Sequence, residues 1–314
     1  MSLLRVMRAK PLGALGGLLI VGLVATALLA PVLAPYDPVE VRSGDRLRPP
    51  SLSHPLGTDD FGRDILSRVI YGARISMLLG LGAVAISTLL AAIVGVLSGY
   101  YGGRVDTVLQ RGIDTMMAFP GFVVLLTIMA MLGQGLGNVI LALGIGGTAA
   151  NARIIRSAVL AIRENQYLEV ARATGCRDWQ IIARHVLPNI AAPIMVVMTL
   201  GLGVAILAES SLSFLGFGVP PPTPSWGAML SGSGRTYMIQ APWIAVFPGI
   251  AISLAVFGFN MLGDALRDLL DPRLRGGPRG RGSRARRGRA RRPGAASPAR
   301  CGRILRLIPP GRDP

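Results

Sequence analysis

The sequence predicts an all-α, polytopic membrane protein with six transmembrane helices. Three observations carry that expectation. The 314-residue chain is 51% hydrophobic with a mean hydropathy of +0.51, a composition that suits a bilayer better than a soluble multidomain chain. Its charges fall in a few clusters, and the uncharged runs between them reach span length. A hydrocarbon core about 30 Å thick needs about 20 apolar residues as helix.

Leu12 to Ala34 has 23 residues without a charge, behind Arg5, Arg8 and Lys10. A cleaved signal peptide is the alternative, because Ala25-Thr26-Ala27 mimics a cleavage site, but signal h-regions run only about 7 to 15 residues. The run is therefore read as the first span, entering from the cytoplasm. Residues 35 to 74 form a polar loop in which six arginines balance six acids. The 153–185 stretch also has six arginines, so the positive-inside rule does not orient this pair. Orientation rests on the basic termini and the parity of six spans, which puts 35–74 outside and both termini in the cytoplasm of a bacterial cell, in its inner membrane. His54, Asp59, Asp60 and Asp64 could be offered as a metal cluster, but exposed carboxylates usually pair with nearby arginines or water, and no metal is expected.

Ile75 to Tyr101 is the second span, with Gly80, Gly82, Gly95 and Gly99 permitting close helix packing. Gly80-Leu81-Gly82 imitates a dinucleotide fingerprint, but no βαβ unit surrounds it. A short inner loop with Arg104, Asp106, Arg111 and Asp114 comes next. Thr115 to Ala152 carries no charge for 38 residues, too long for one helix and enough for spans three and four, broken at 133–138. Ile190 to Leu207 is the fifth span and Trp243 to Leu262 the sixth.

Between spans four and five lies a charged, helix-forming island at about 163–189. Arg163 to Thr174 holds good helix formers, and Gly175 can take the left-handed conformation that closes a helix. Asp178 can cap a second helix whose apolar Trp179, Ile182 and Val186 fall three or four apart, and Pro188 suits the first turn of the fifth span. An amphipathic helix lying on the membrane surface would share these properties. The positions Glu169, Ala171, Gly175 and Val186-Leu187-Pro188 resemble the EAA loop of ABC-importer permeases, with Val170 where the family's middle alanine usually sits. The resemblance implies that this loop is the cytoplasmic coupling helix docking into a cleft of the ATPase subunit, with Glu169, Ala171, Gly175, Trp179, Val186, Leu187 and Pro188 as the partner-binding residues.

Other stretches extend the resemblance. His54-Pro55-Leu56-Gly57 through Asp64, then Leu66 to Arg74, is similar to the segment before the second span of dipeptide, oligopeptide and nickel permeases. Glu209 to Gly218, Pro220 to Leu230, Ala241-Pro242-Trp243 and Asn260 to Arg275 continue in that family's order. Together they resemble the second, C-type permease subunit of a peptide- or nickel-type importer with the type I permease fold. The resemblance implies a heterodimer with a homologous permease, two ABC ATPase subunits and an extracytoplasmic solute-binding protein, with selectivity largely in that protein. Residues 1–74 are then an N-terminal span and external loop, 75–275 a five-helix core, and 276–314 a tail.

That tail has twelve arginines and one acid among Gly, Pro, Ala and Ser; no core can be built from it, and disorder is expected. Anionic membrane lipids are its plausible partner. It lacks aromatics to stack bases, and no nucleic acid is expected. Lys10, the chain's one lysine, sits outside any glycine-rich turn, so no P-loop and no ATPase chemistry belong to this chain. Leu230 to Arg235 superficially resembles the signature sequence of the ATPases and is taken as chance. Cys176 and Cys301 give neither a disulfide framework nor a metal site. No catalytic residue, metal or cofactor is called for. Glu209, at the outer end of span five, could meet a solute's amino group but more often such a residue caps or pairs structurally. A secondary transporter or channel is the alternative class; the expected spans carry charge only at their edges, at Glu209 and Asp264, which speaks against it.

Overall fold

A computed structural model of the chain describes residues 11–270. The Arg-rich tail at 276–314, and the basic residues ahead of Pro11, lie outside the described residues. Among the described residues there is no strand, only an isolated antiparallel bridge between Thr58 and Asp64. Five helices are long and apolar enough to cross a bilayer, and a bent pair makes a sixth crossing possible.

The first is α1, Pro11–Leu28, continued by the short α2, Ala30–Leu33. The second, α3, runs Ile65–Tyr101 and starts earlier than the expected Ile75. Asp64 is the reason: its carboxylate accepts from the backbone N–H of Ser67 at 2.8 Å, an N-cap that starts the helix ahead of the apolar run. The inner loop expected next is instead a helix, α4, Gly103–Met117, whose Val105, Leu109, Ile113 and Met116 recur at helical spacing. Pro120 then breaks the apolar run. It lacks an N–H and pushes the residue before it out of helical geometry, so α5, Gly121–Leu132, turns 88° from α4.

The expected break near Gly133 separates α5 from α6, Leu136–Arg163. This fourth helix outlasts the uncharged run, so Arg153, Arg156 and Arg163 sit on its last turns rather than in a loop. Two short helices, α7 (Gln166–Ala173) and α8 (Asp178–Ile181), lead through a π-turn at Ile182–Val186 into α9, Leu187–Phe214. After α10 (Trp226–Leu230) and α11 (Gly232–Thr236), the chain ends its described part in α12, Trp243–Leu270.

The pair α3 and α6 makes the most extensive contact in the bundle. Its closeness is written in glycines. A Cβ on Gly95 would lie 2.8 Å from the carbonyl oxygen of Ala152, and one on Gly99 2.8 Å from Cβ of Val159. In lipid, where apolar side chains gain little by leaving their surroundings, such backbone-to-backbone approach is what holds helices together.

The 35–64 segment folds back over the N-terminal end of α3. Asp59 and Asp64, expected to be exposed, are buried instead. Asp59 accepts from Arg63 Nε at 2.7 Å and lies 3.7 Å from Arg68, while Asp64 meets His54 Nδ1 at 3.0 Å. Burial without such partners would be costly, and each carboxylate here has them. Among the described residues no three His, Cys, Asp or Glu side chains converge as metal ligands. Trp243 Nε1 donates to the Thr58 carbonyl at 3.1 Å, Arg46 donates to Tyr237 Oη at 2.8 Å, and Ser233 bonds Asp60. These tie the segment to the α11–α12 region as a cap on one end of the bundle.

Candidate functional site

The opposite end of α3 carries the 163–189 segment. Helix α7 closes at Thr174 and the chain reverses through Gly175 at φ +82°. The Cys176 N–H donates to the Ala171 carbonyl and the Gly175 N–H to the Arg172 carbonyl, at 3.1 and 3.0 Å. This paired closure satisfies the last carbonyls of the helix and needs a left-handed residue at that glycine. Asp178 differs from its expected capping role. The N-cap of α8 is Arg177, whose N–H is met by Gln180 Oε1 at 3.0 Å. The Asp178 carboxylate is turned to the bundle, where Tyr100 Oη donates to it at 2.8 Å.

The π-turn is a consequence of Pro188. Proline cannot donate to the carbonyl four residues earlier, and its ring crowds that carbonyl; a wider turn, with Leu187 N–H reaching back to the Ile182 carbonyl, absorbs the misfit. Asn189 Nδ2 donates to the His185 carbonyl at 2.7 Å. The segment therefore enters α9 as one continuous helical path from Asp178 to Phe214.

The seven residues singled out in this segment divide into two sets. Ala171 and Val186 are buried with Leu168 and Ile181 in a cluster that includes Val96, Tyr100, Ile155, Val159 and Ile190. Glu169, Gly175, Trp179, Leu187 and Pro188 are exposed. Trp179 and Val170 are each 61% exposed, and with Tyr167 they give the tip of the segment a large apolar surface. Arg172, Arg177 and Arg184 are exposed beside it, and the Arg172 guanidinium sits 5.2 Å from the Tyr100 ring centroid.

A cavity of about 1130 Å³ begins near this end and runs between α3, α5, α6 and α9. Its lining is small and apolar, with Asn189 and Arg267 toward the 163–189 end and Ser87 and Asn151 deeper. Glu209 does not line it. Its side chain is 0% exposed, and its carboxylate accepts from Ser213 Oγ at 2.7 Å and Ser210 Oγ at 3.4 Å. Trp226 is also buried, and donates from Nε1 to the Val69 carbonyl at 2.9 Å.

Sequence reasoning missed a network of side-chain links near the segment. Arg156 on α6 grips Asp106 on α4 in bidentate fashion, at 2.7 and 2.5 Å. Arg153 pairs with Asp114 between the same helices, and Ser98 and Gln110 extend the network. The two ion pairs join residues 39 and 50 apart in the chain, and no periodic pattern connects them.

A helical bundle with a helix-turn-helix at one end and an apolar cavity leading from it has the architecture of an ABC-importer permease subunit. A chain of the MetNI methionine ABC transporter in its inward-facing conformation superposes on 64% of this chain and 95% of its own length, with a TM-score of 0.54 at 16% identity. The chain belongs to the family of binding-protein-dependent transport system inner membrane components, whose model matches residues 87–276. Residues 2–50 match the N-terminal transmembrane domain of oligopeptide transport permease C.

Curated relatives agree along nearly their full length. The dipeptide transport system permease protein DppC of Alkalihalophilus pseudofirmus is 42% identical over 86% of this chain and 88% of its own. The glutathione transport system permease protein GsiD of Escherichia coli is 42% identical over 86% and 89%. A putative peptide transport system permease protein of Brucella suis is 44% identical over 83% and 88%.

Proposed function

We propose that the chain forms half of a membrane passage for peptides or a closely related small solute, driven by ATPase subunits that dock on the 166–188 segment. The observation that carries this reading is the double character of that segment. Its inner face is locked to the bundle by Leu168, Ala171, Ile181 and Val186 and by the Tyr100–Asp178 bond. Its outer face presents Tyr167, Val170 and Trp179 among arginines. An apolar anchor with a cationic rim fits a partner cleft that is apolar at its centre and acidic at its edge.

Force applied to such a segment reaches α9 without a joint, and α9 lines the cavity together with α3 and α6. Two packings of these helices, one with the cavity open near the segment and one with it open near the cap, would be biased by ATP through contacts that differ between them. On this reading the 163–189 end faces the cytoplasm, the 35–64 cap faces outward toward a solute-binding protein, and a homologous permease covers the exposed side of the cavity. On the same reading ATP is bound by the partner subunits, since Lys10, the one lysine, stands in no glycine-rich phosphate-binding turn. Glu209, buried among serines, is assigned a structural role at the closed end of the passage.

Trp179→Ala tests the docking. Loss of a buried aromatic anchor costs about 2 kcal/mol or more at an interface, so the purified permease pair should bind its ATPases about thirtyfold more weakly, measured by titration in detergent. Unchanged affinity would move the docking surface elsewhere.

A further inference from the structure

We propose that Ser87 on α3 and Asn151 on α6 form a binding station for the peptide bond of a solute crossing the cavity. The inference rests on the peptide-permease reading and names groups that would touch the solute. Both residues line the cavity, and both lie roughly 20 Å from the 163–189 ends of their helices by the helical rise. They therefore sit deep in the passage, not at its mouth.

Their hydrogen bonding is incomplete in a telling way. Asn151 Nδ2 donates to Ser87 Oγ at 2.9 Å. That leaves the Ser87 hydroxyl proton without an acceptor and Asn151 Oδ1 without a donor among the described residues. A donor and an acceptor side by side match the C=O and N–H of a peptide group. Polar groups in an apolar wall are costly unless something bonds to them, and here the open valences belong to residues lining the passage. Gly147 keeps the pair accessible: a Cβ there would stand 2.8 Å from Ser87 Oγ.

The rest of the lining indicates what is recognised. Among the described residues its charged lining side chain is Arg267, in the last turn of α12 at the mouth, and no carboxylate of those residues lines the cavity. A charged side chain on the solute finds no counter-ion among this chain's described residues at the depth of Ser87 and Asn151. The amide group, shared by all peptides, finds both its partners. On this chain's side of the passage, such a station holds peptides without regard to side-chain charge.

The test uses the full chain reconstituted in liposomes with its partner permease, ATPases and binding protein. ATP-driven uptake is read for trialanine, alanyl-lysyl-alanine and alanyl-glutamyl-alanine, each normalised to the unsubstituted complex. Ser87→Ala should lower uptake of all three by a similar factor, roughly two- to tenfold for one lost hydrogen bond, with normal assembly. Asn151→Asp keeps the shape and adds a negative charge, so uptake of the lysyl peptide relative to the glutamyl peptide should rise about tenfold. If Asn151 serves only to pack α6 against α3, the lysyl-to-glutamyl ratio stays at its original value, and the proposal is overturned. Should Asn151→Asp fail to assemble, uptake at the unsubstituted level in Ser87→Ala overturns it alone. An unsubstituted complex that imports none of the three peptides defeats the peptide reading beneath the proposal, which is a different outcome from a complex that imports them with no response to either substitution.

Discussion

Gly175 concentrates the most chemistry in the least mass. At φ +82° it reverses the chain between α7 and α8, and no neighbour lies within 4 Å of where a Cβ would stand. A substitution there meets no steric wall, so its cost is conformational, about 1 kcal/mol or more for a β-branched residue held left-handed. Gly175→Val is expected to leave membrane insertion intact, because insertion depends on apolar spans elsewhere. ATP hydrolysis should uncouple from uptake, because a tilted segment loses the contacts that distinguish the two states. Solute-stimulated ATPase measured beside uptake in the reconstituted complex gives the answer; both at original levels would mean that the turn is not part of the coupling. The sequence made this glycine legible, since a lone Gly after a helix-forming run is a known stop. The destination of Asp178 was not legible, because Tyr100 lies far away in the chain.

At the scale of elements, the decisive contact is α3 on α6. Gly95→Val would place methyl groups where the Ala152 carbonyl already stands, and overpacking of this kind costs about 1–3 kcal/mol. Thermal unfolding of the detergent-solubilised protein should therefore begin at lower temperature, whereas the same change at Gly249, with open space around it, should shift unfolding far less. The helix α4 is fastened to α6 by Asp106–Arg156 and Asp114–Arg153. Arg156 and Asp106 are only partly exposed and share a bidentate bond, which raises the pair above an ordinary surface bridge. Arg156→Ala is expected to destabilise the α4–α6 contact by about 1 kcal/mol, visible as faster amide exchange in α4 with the core of α6 unchanged. Equal exchange in both proteins would show that apolar contacts, such as those of Ile113, hold α4 without the ion pairs.

For the whole molecule, the resemblance read from sequence and the family match end together near residue 275: the matched region closes at 276. The twelve arginines beyond it bring almost no apolar surface for packing. Truncation after Arg275 should leave assembly and uptake at their original levels, measured at equal amounts of membrane-inserted protein. A loss of uptake would assign the tail a working part in transport. The isolated chain should bind no ATP, since Lys10 stands in no phosphate-binding turn; photolabelling with an azido nucleotide in the absence of ATPase subunits checks this, and specific labelling would overturn it.

The sequence by itself determined the all-α membrane class, the places of five span-length helices, the helix-turn-helix at 163–189 and its closing glycine. Each of these is local: hydrocarbon thickness fixes the length of an apolar run, and a few adjacent residues decide a turn. What only the tertiary structure decided is which side chains meet. The burial of Asp59 and Asp64, the full burial of Glu209 and the Ser87–Asn151 pair all depend on contacts between distant segments or on how a helix is turned in the bundle. In an apolar sequence that difference is sharp. Runs uncharged on all sides say that a helix is embedded, but they carry little periodic signal for which face meets lipid, another helix or the passage.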